Sequence, residues 1–288
     1  MKMLFLGSSG KLGTGLYNQL KSNKKKIEII TSSRSSGTKP IDLTNTDLIS
    51  SKLNEINPNI IVNCSGNVNL SFCEKNKEYI EKLHVDAVEK IAIWTKNNSS
   101  RYIHISTDHF FDGDRNKLHN ESEEVKLLNY YAYSKYEGEK KLLGLKNSAV
   151  IRTSFVSFGP AESNSFGNWL IKTIFKENRP TLFSDSFTSS IDIDTLGKAI
   201  AEVAMSNFNG LINIGCKDSY SKSNLVLSLL DKFKIKKEVK FSSVKNLLPE
   251  RADSLGLDCS LFEKNFQTKL PNFDELVDYL YGQIQSRI

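Results

Sequence analysis

A tyrosine and a lysine four residues apart, Tyr131 and Lys135, lie in the run Asn129-Tyr130-Tyr131-Ala132-Tyr133-Ser134-Lys135. On a helix that spacing puts both on one face, so an ammonium can sit close to a phenol. A nearby positive charge favours the phenolate and lowers a pKa that is otherwise about 10. The tyrosine then becomes a proton donor or acceptor near neutral pH. Thr107 lies 24 residues upstream of Tyr131. Alone, the pair fits an amphipathic helix with a solvated lysine better than it fits a site. The other end of the chain changes that balance.

Leu4-Phe5-Leu6-Gly7-Ser8-Ser9-Gly10-Lys11-Leu12-Gly13 places three glycines in a turn from an apolar strand into a helix. Gly7 allows a tight turn, Gly10 a close backbone approach to a pyrophosphate, and Gly13 close packing of helix on sheet. The helix start presents N–H groups and a positive dipole end to phosphates. This spacing assigns dinucleotide contacts to Gly7, Ser9, Gly10, Lys11 and Leu12. The next apolar run ends Thr31-Ser32-Ser33-Arg34. A free ribose 2′-hydroxyl is usually read by an acidic residue here, whereas small hydroxyls and an arginine suit a 2′-phosphate. Ser33 and Arg34 therefore favour NADP(H) over NAD(H).

The elements that must position these residues follow from hydrophobic patterning. Runs at 3–6, 27–31, 60–64, 102–106 and 149–156 are continuously apolar, as strands buried on both faces are. Helical spacing occupies 10–22, 45–56 and 77–97. In the last, Ile80, Leu83, Ala87, Val88, Ile91 and Trp94 mark one face. Thr44 or Asn45 is expected to cap the second helix and Pro58 to stop it. The alternation predicts an α/β fold with a doubly wound parallel sheet of Rossmann type. Beyond 158 the pattern changes. A Gly/Ser/Asn/Pro-rich loop at 159–167 leads to helices at 166–177, 194–206, 221–233 and 272–286, with strands at 180–184 and 211–215. The expected division is a nucleotide-binding domain over 1–158 and a smaller mixed α/β substrate-binding lobe over 159–288, partly interleaved with the sheet edge.

Composition excludes several classes. With 288 residues, 39% hydrophobic and 25% charged, the chain can bury a sizeable core. The net charge of +6 is mild, and the Lys24-Lys25-Lys26 cluster reads as a solvated loop, so no nucleic-acid partner is expected. Cys64, Cys73, Cys216 and Cys259 lack metal-site or disulfide-framework spacing and suit a reducing compartment. No signal peptide or membrane span is expected, which predicts a cytoplasmic protein.

The glycine loop, Thr107 and the Tyr131/Lys135 pair together resemble the extended short-chain dehydrogenase/reductase family, and within it the dTDP-4-dehydrorhamnose reductases. Ile41-Asp42-Leu43-Thr44 resembles that family's turn near the adenine, and Asn63-Cys64-Ser65-Gly66 its small-residue segment beside the cofactor. His104 to Gly113 resembles its STDYVFDG stretch, Tyr131 to Glu139 its YGxSKxxGE, and Arg152-Thr153-Ser154-Phe155 its RTSW. Phe187-Thr188-Ser189-Ser190, Asp194 with Leu196, Gly210-Leu211-Ile212-Asn213 and Ser254 to Asp258 continue the likeness over nearly the whole chain. The resemblance implies that Asp42, Leu43, Cys64, Ser65 and Gly66 also contact the cofactor, and that Tyr131 and Lys135 do so beside their catalytic part. It implies NADPH-dependent reduction of a 4-keto sugar nucleotide in polysaccharide precursor synthesis, with Tyr131 as proton donor. Lys135 would support Tyr131 and bond the nicotinamide ribose, and Thr107 would hold the carbonyl.

Three residues depart from the family pattern. His109 stands where those reductases have Tyr, Phe155 where they have Trp, and His84 where they have Asn. His109 and Phe155 are the expected substrate contacts. Two other readings share the fold: an NAD-dependent sugar-nucleotide epimerase or dehydratase, and a non-enzymatic NADP-binding subunit such as the regulatory subunit of methionine adenosyltransferase. A homodimer is compatible with the sequence, and no metal is expected, because Asp108 and Asp112 read as turn residues. His104, Phe166 and Trp169 read as core residues. Asn168 could face a substrate, and Arg251 reads equally as a diphosphate contact or a surface residue.

Overall fold

Five of the apolar runs form parallel strands. They are β1 (Lys2–Leu6), β2 (Glu28–Ser32), β3 (Ile60–Asn63), β4 (Arg101–Ile105) and β5 (Ser148–Thr153). The computed structural model describes residues 1–21, 27–115, 117–160 and 165–288. The lysine cluster at 24–26 and the middle of the loop at 159–167 lie outside them. With the strand Gly210–Ile214 the sheet has six members in the order β2-β1-β3-β4-β5 and then Gly210–Ile214. All residues of β3 and β5 are buried, which is why these strands read as unbroken apolar runs rather than alternating ones.

The chain passes from β1 to one side of the sheet for β2, then to the other for β3. The strand order therefore reverses between β1 and β3. In open parallel sheets a ligand crevice forms at the carboxyl ends of the strands flanking such a reversal. Gly7 follows β1 and Cys64 follows β3, so the residues picked out by type also sit at that reversal.

Helices α1 (Lys11–Lys21) and α2 (Thr46–Ile56) follow the expected pattern. Asn45 holds the N-cap position of α2, yet its side chain makes no capping bond. Asp42 instead accepts from the Thr44 amide at 3.0 Å and hydroxyl at 2.7 Å. Asn57, left-handed at φ 48°, ends α2 ahead of Pro58, and its N–H bonds the Leu53 carbonyl. Between α2 and β4 lie α3 (Leu70–Lys75), α4 (Lys77–Glu81) and α5 (Ala87–Asn97). The expected single helix over 77–97 is thus interrupted, because Lys82–Asp86 forms a π turn. A π turn holds one residue more than an α turn, and it frequently marks a functional position. Helix α6 (Tyr130–Lys140) carries Tyr131 and Lys135.

Two compact units emerge. The first comprises Met1–Thr107, Asn129–Arg152 and Gly197–Ile212, the second Asp108–Leu128, Thr153–Leu196 and Asn213–Ile288. These segments differ from a single cut at 158, because the chain passes from one unit to the other several times. The first unit's core includes Leu4, Ile30, Ile49, Leu53, Ile61, Ile91, Trp94 and Val150. In the second, Phe187–Thr188 pairs antiparallel with Tyr220–Ser221 and parallel with Ser254–Leu255. Its core includes Leu170, Leu182, Leu225, Leu229, Leu276 and Leu280. Phe166 and Trp169 pack against that core, with stacked rings 5.4 Å apart, as expected. The expected strand 149–156 divides. β5 ends at Thr153, and Phe155–Val156 pairs with Ile191–Asp192 instead. Among the described residues no helix is long and apolar enough to cross a membrane.

One polar contact inside the first unit holds α6 against the sheet. Arg152 on β5 donates Nε and Nη2 bonds to the Glu139 carboxylate on α6, with both side chains almost wholly buried. Removing one partner leaves the other charge in a low-dielectric interior. Glu139→Ala should therefore cost about 3–5 kcal/mol, seen as a lower midpoint in thermal or urea unfolding. Glu139→Leu combined with Arg152→Met should recover most of that loss. An unchanged midpoint in Glu139→Ala would show that the pair does not hold the helix.

Candidate active site

At the reversal point the backbone approaches too closely for side chains. Gly7 is left-handed at φ +77°, and a Cβ there would lie 2.7 Å from the Ser65 backbone. A Cβ at Gly13 would meet the Gly7 carbonyl oxygen at 2.5 Å. Only glycine permits both contacts, and together they fold the loop tightly over the start of α1. The Gly10 N–H closes the turn onto the Gly7 carbonyl at 3.0 Å.

A cavity of about 600 Å³ opens beside this loop. Gly7, Ser9, Gly10, Ser33, Arg34, Asp42, Leu43, Cys64, Ser65 and Gly66 all line it. Lys11 and Leu12 open α1 and do not line the cavity; Leu12 is buried in the core. Sequence reasoning missed Asn67, Val68, Phe72 and Tyr79, which also line it. Tyr79 accepts a hydrogen bond from the Arg34 guanidinium at 3.2 Å, which helps fix that arginine at the cavity wall. Glycine loop, helix start and arginine form a donor set that fits a dinucleotide with its phosphates at the loop. Burial pushes the Cys64 thiol up to about 12, so it stays protonated and serves as a small wall residue.

Helix α6 is positioned at its first turn. Asn129 caps it by accepting from the Ala132 N–H at 2.9 Å, and Glu74 on α3 accepts from the Tyr130 N–H at 2.7 Å. Tyr131 and Lys135 are both buried on this helix, as is Thr107 just beyond β4. Lys135 reaches the end of β4, donating to the Ile105 carbonyl at 2.7 Å and to His104 Nε2 at 3.3 Å. An ammonium has three protons, so one remains for a third partner. Burial pulls the Lys135 amine down to about 8, with Glu139 partly opposing that pull. Its charge is therefore present at neutral pH and is lost as pH rises through about 8. His104, expected as a core residue, is wholly buried and is also this lysine's partner. Burial and then the Lys135 charge hold its imidazole well below the usual range, so it remains neutral.

His109 and Phe155 belong to the second unit. Burial, then the charges of Lys222 and Arg251, push the His109 imidazole down to about 3, which makes it a neutral polar group. Its neighbour Asp108 begins a chain of hydroxyls that leads to the residue before Phe155. Thr188 donates to Asp108 at 3.4 Å, which commits its only proton. The Ser190 hydroxyl must then donate to Thr188 at 2.8 Å, and Ser154 to Ser190 at 2.8 Å. Asn168 is half-buried. Its side chain bonds the Gly159 N–H and the Pro160 carbonyl. Arg251 is exposed. Among the described residues no cluster of His, Cys, Asp or Glu could hold a metal ion.

A doubly wound sheet, a glycine loop at its reversal point and a buried Tyr/Lys helix define an α/β protein of the extended short-chain dehydrogenase/reductase type. The family model described as RmlD substrate binding domain matches residues 1–285, and the chain belongs to that family. A dTDP-4-dehydrorhamnose reductase from Aggregatibacter actinomycetemcomitans is 30% identical over 184 residues, 63% of this chain and 59% of that protein. The chain thus spans about three-fifths of the length of that curated relative. The crystal structure of a hypothetical dTDP-4-dehydrorhamnose reductase from Sulfolobus tokodaii is 29% identical, with a TM-score of 0.84 over 96% of this chain and 98% of that one. A dTDP-4-dehydrorhamnose reductase from Bacillus anthracis, crystallised in complex with NADP, shares the fold at 20% identity, with a TM-score of 0.84 over 98% of each chain.

The Lys135 environment yields a direct check. In spectra of protein labelled with 15N at the lysine side chains, one amine should titrate near pH 8 and disappear in Lys135→Met. If every lysine titrates above pH 9.5, the ammonium is not desolvated as described.

Proposed function

We propose that the chain is an NADPH-dependent reductase of a 4-keto sugar nucleotide, of the dTDP-4-dehydrorhamnose reductase kind. The observation that carries this reading is one arrangement within the first unit. A nucleotide-sized cavity with an arginine on its wall accompanies a helix bearing a buried Tyr/Lys pair. Support also comes from the family membership and from the reductase names its relatives carry, one of them crystallised with NADP. Four unpaired cysteines suit the cytoplasm as the place of reaction.

Gly7, Ser9 and Gly10, with the α1 start at Lys11 and Leu12, would hold the pyrophosphate. Ser33 and Arg34 would hold the 2′-phosphate, and Asp42 and Leu43 would border the adenine. Cys64, Ser65 and Gly66 would line the path toward the nicotinamide. When bound, the reduced nicotinamide supplies the hydride. Tyr131 gives its phenolic proton to the substrate's keto oxygen, which becomes the alcohol. The Lys135 charge stabilises the phenolate left behind and offers its remaining N–H to the nicotinamide ribose. Thr107 donates a hydrogen bond to the same oxygen as charge builds on it. His109, a neutral donor and acceptor, and Phe155, an apolar ring, contact the sugar nucleotide.

The test is NADPH consumption, followed at the nicotinamide absorbance, with a panel of 4-keto sugar nucleotides that includes dTDP-4-dehydrorhamnose. Tyr131→Phe should lower kcat by about 10²–10⁴-fold while leaving NADPH affinity unchanged. Normal turnover in that variant would sink the assignment. Arg34→Ala should weaken NADPH by roughly 10- to 100-fold and leave NADH nearly untouched, as for loss of a charge-assisted phosphate contact. Equal weakening of both nucleotides in fluorescence titrations would remove the arginine from that role. Tightly bound NAD in the purified protein would point to epimerase chemistry instead.

A further inference from the structure

His84 stands at the centre of the π turn, is almost wholly buried, and has no part in the mechanism above. It touches both halves of the first unit's site. The Asn67 backbone N–H, in the segment that lines the cavity, lies 3.0 Å from Nε2. A backbone amide can only donate, so Nε2 must accept and carries no proton. The ring proton therefore sits on Nδ1, which faces the Ser134 hydroxyl at 2.9 Å. Ser134 in turn donates to the Tyr131 carbonyl at 3.0 Å. Every bond in the series Asn67, His84, Ser134, Tyr131 has its direction forced by the chemistry of its ends.

Packing reinforces the series. The His84 ring meets the Tyr131 ring edge-on, with centroids 6.0 Å apart. A Cβ on Gly138 would lie 2.3 Å from the His84 carbonyl oxygen, so α6 approaches the π turn as closely as backbone allows. A Cβ on Gly66 would lie 3.4 Å from Nε2. Cavity wall and tyrosine-bearing helix are thus both registered against one neutral imidazole.

We infer that His84 is a positioning residue. Through Asn67 and Ser134 it sets where Tyr131 stands relative to the cavity that takes the cofactor. A donor on one edge and an acceptor on the other are both needed, and this requires the single Nδ1–H tautomer. The inference rests on the reductase reading for its kinetic consequence, and not for its geometry.

Two experiments test it. In 15N spectra of histidine-labelled protein, His84 should show a protonated Nδ1 and an unprotonated Nε2 from pH 6 to 8. The reverse tautomer or an imidazolium would overturn the geometry, whether or not the protein has activity. In kinetics, His84→Phe keeps the ring and loses both bonds. It should lower kcat by roughly 10- to 100-fold, the scale of an ångström-sized misplacement, with NADPH affinity within about threefold. His84→Gln, whose amide carries both a donor and an acceptor, should restore most of kcat. Ser134→Ala cuts only the far link, and the double variant His84→Phe/Ser134→Ala should be no slower than His84→Phe alone. Losses that multiply in the double variant, or His84→Gln no better than His84→Phe, would overturn the proposal. Should His84→Phe fail to fold, Ser134→Ala decides, since unchanged kcat there would overturn it as well. Wild-type protein that consumes no NADPH would count against the reductase reading, and the tautomer would still be decided by the spectra.

Discussion

Burying a lysine ammonium is costly unless polar groups receive it, and here the Ile105 carbonyl and the neutral ring of His104 do so. That reception point is the end of β4, one residue short of Ser106 and two short of Thr107. The strand therefore delivers two things together: a receptor for the lysine and a buried hydroxyl just beyond it. The remainder of α6 answers the same demand. Glu139, one turn further on, opposes the desolvation of Lys135 and is itself held by Arg152 on β5. A helix with such limited apolar character owes its place to these polar contacts more than to an oily face.

The cavity depends on a different kind of closeness. Gly7 and Gly13 let loop, helix start and the Ser65 backbone approach within distances that any Cβ would fill. The two constraints meet in the segment after β3. Cys64 and Ser65 line the cavity, while Asn63 accepts the Ser65 N–H at 3.0 Å and donates to the Tyr102 hydroxyl on β4 at 3.1 Å. Strand ends in the middle of the sheet are thus cross-tied by side chains, which keeps the crevice floor rigid where a ligand needs it.

Much of this was legible in the residues. Strands buried on both faces leave continuous apolar runs, so β1 to β5 were readable to within about a residue at most ends. Ser33 and Arg34 could be placed beside the glycine loop because they follow a strand at the carboxyl edge, where a parallel sheet collects its loops, whereas Asp42 and Cys64 came from the family resemblance. Other features had no such signal. A π turn adds a residue without disturbing composition, so the stripe from Ile80 to Trp94 read as one helix and His84 only as a departure from a family pattern. Strands of two residues, such as Phe187–Thr188, are shorter than any period that could announce them. His104 was read correctly as a core residue, but its pairing with Lys135 depends on strand register and helix rotation, neither of which is written locally. The units interweave along the chain for the same reason, since contact, not sequence order, decides which segment packs where.

The π turn also sets a counting rule for this helix. One residue in an α-helix corresponds to about 100° of rotation, so the extra residue in Lys82–Asp86 sets the phase between everything before it and everything after it. A chain shortened by one residue there could run as an unbroken helix. It could not keep His84 aimed at Asn67 and Ser134 while Val88, Ile91 and Trp94 still faced the core. Single-residue length changes at this point are therefore forbidden in a way that substitutions are not, although the segment looks like ordinary helix.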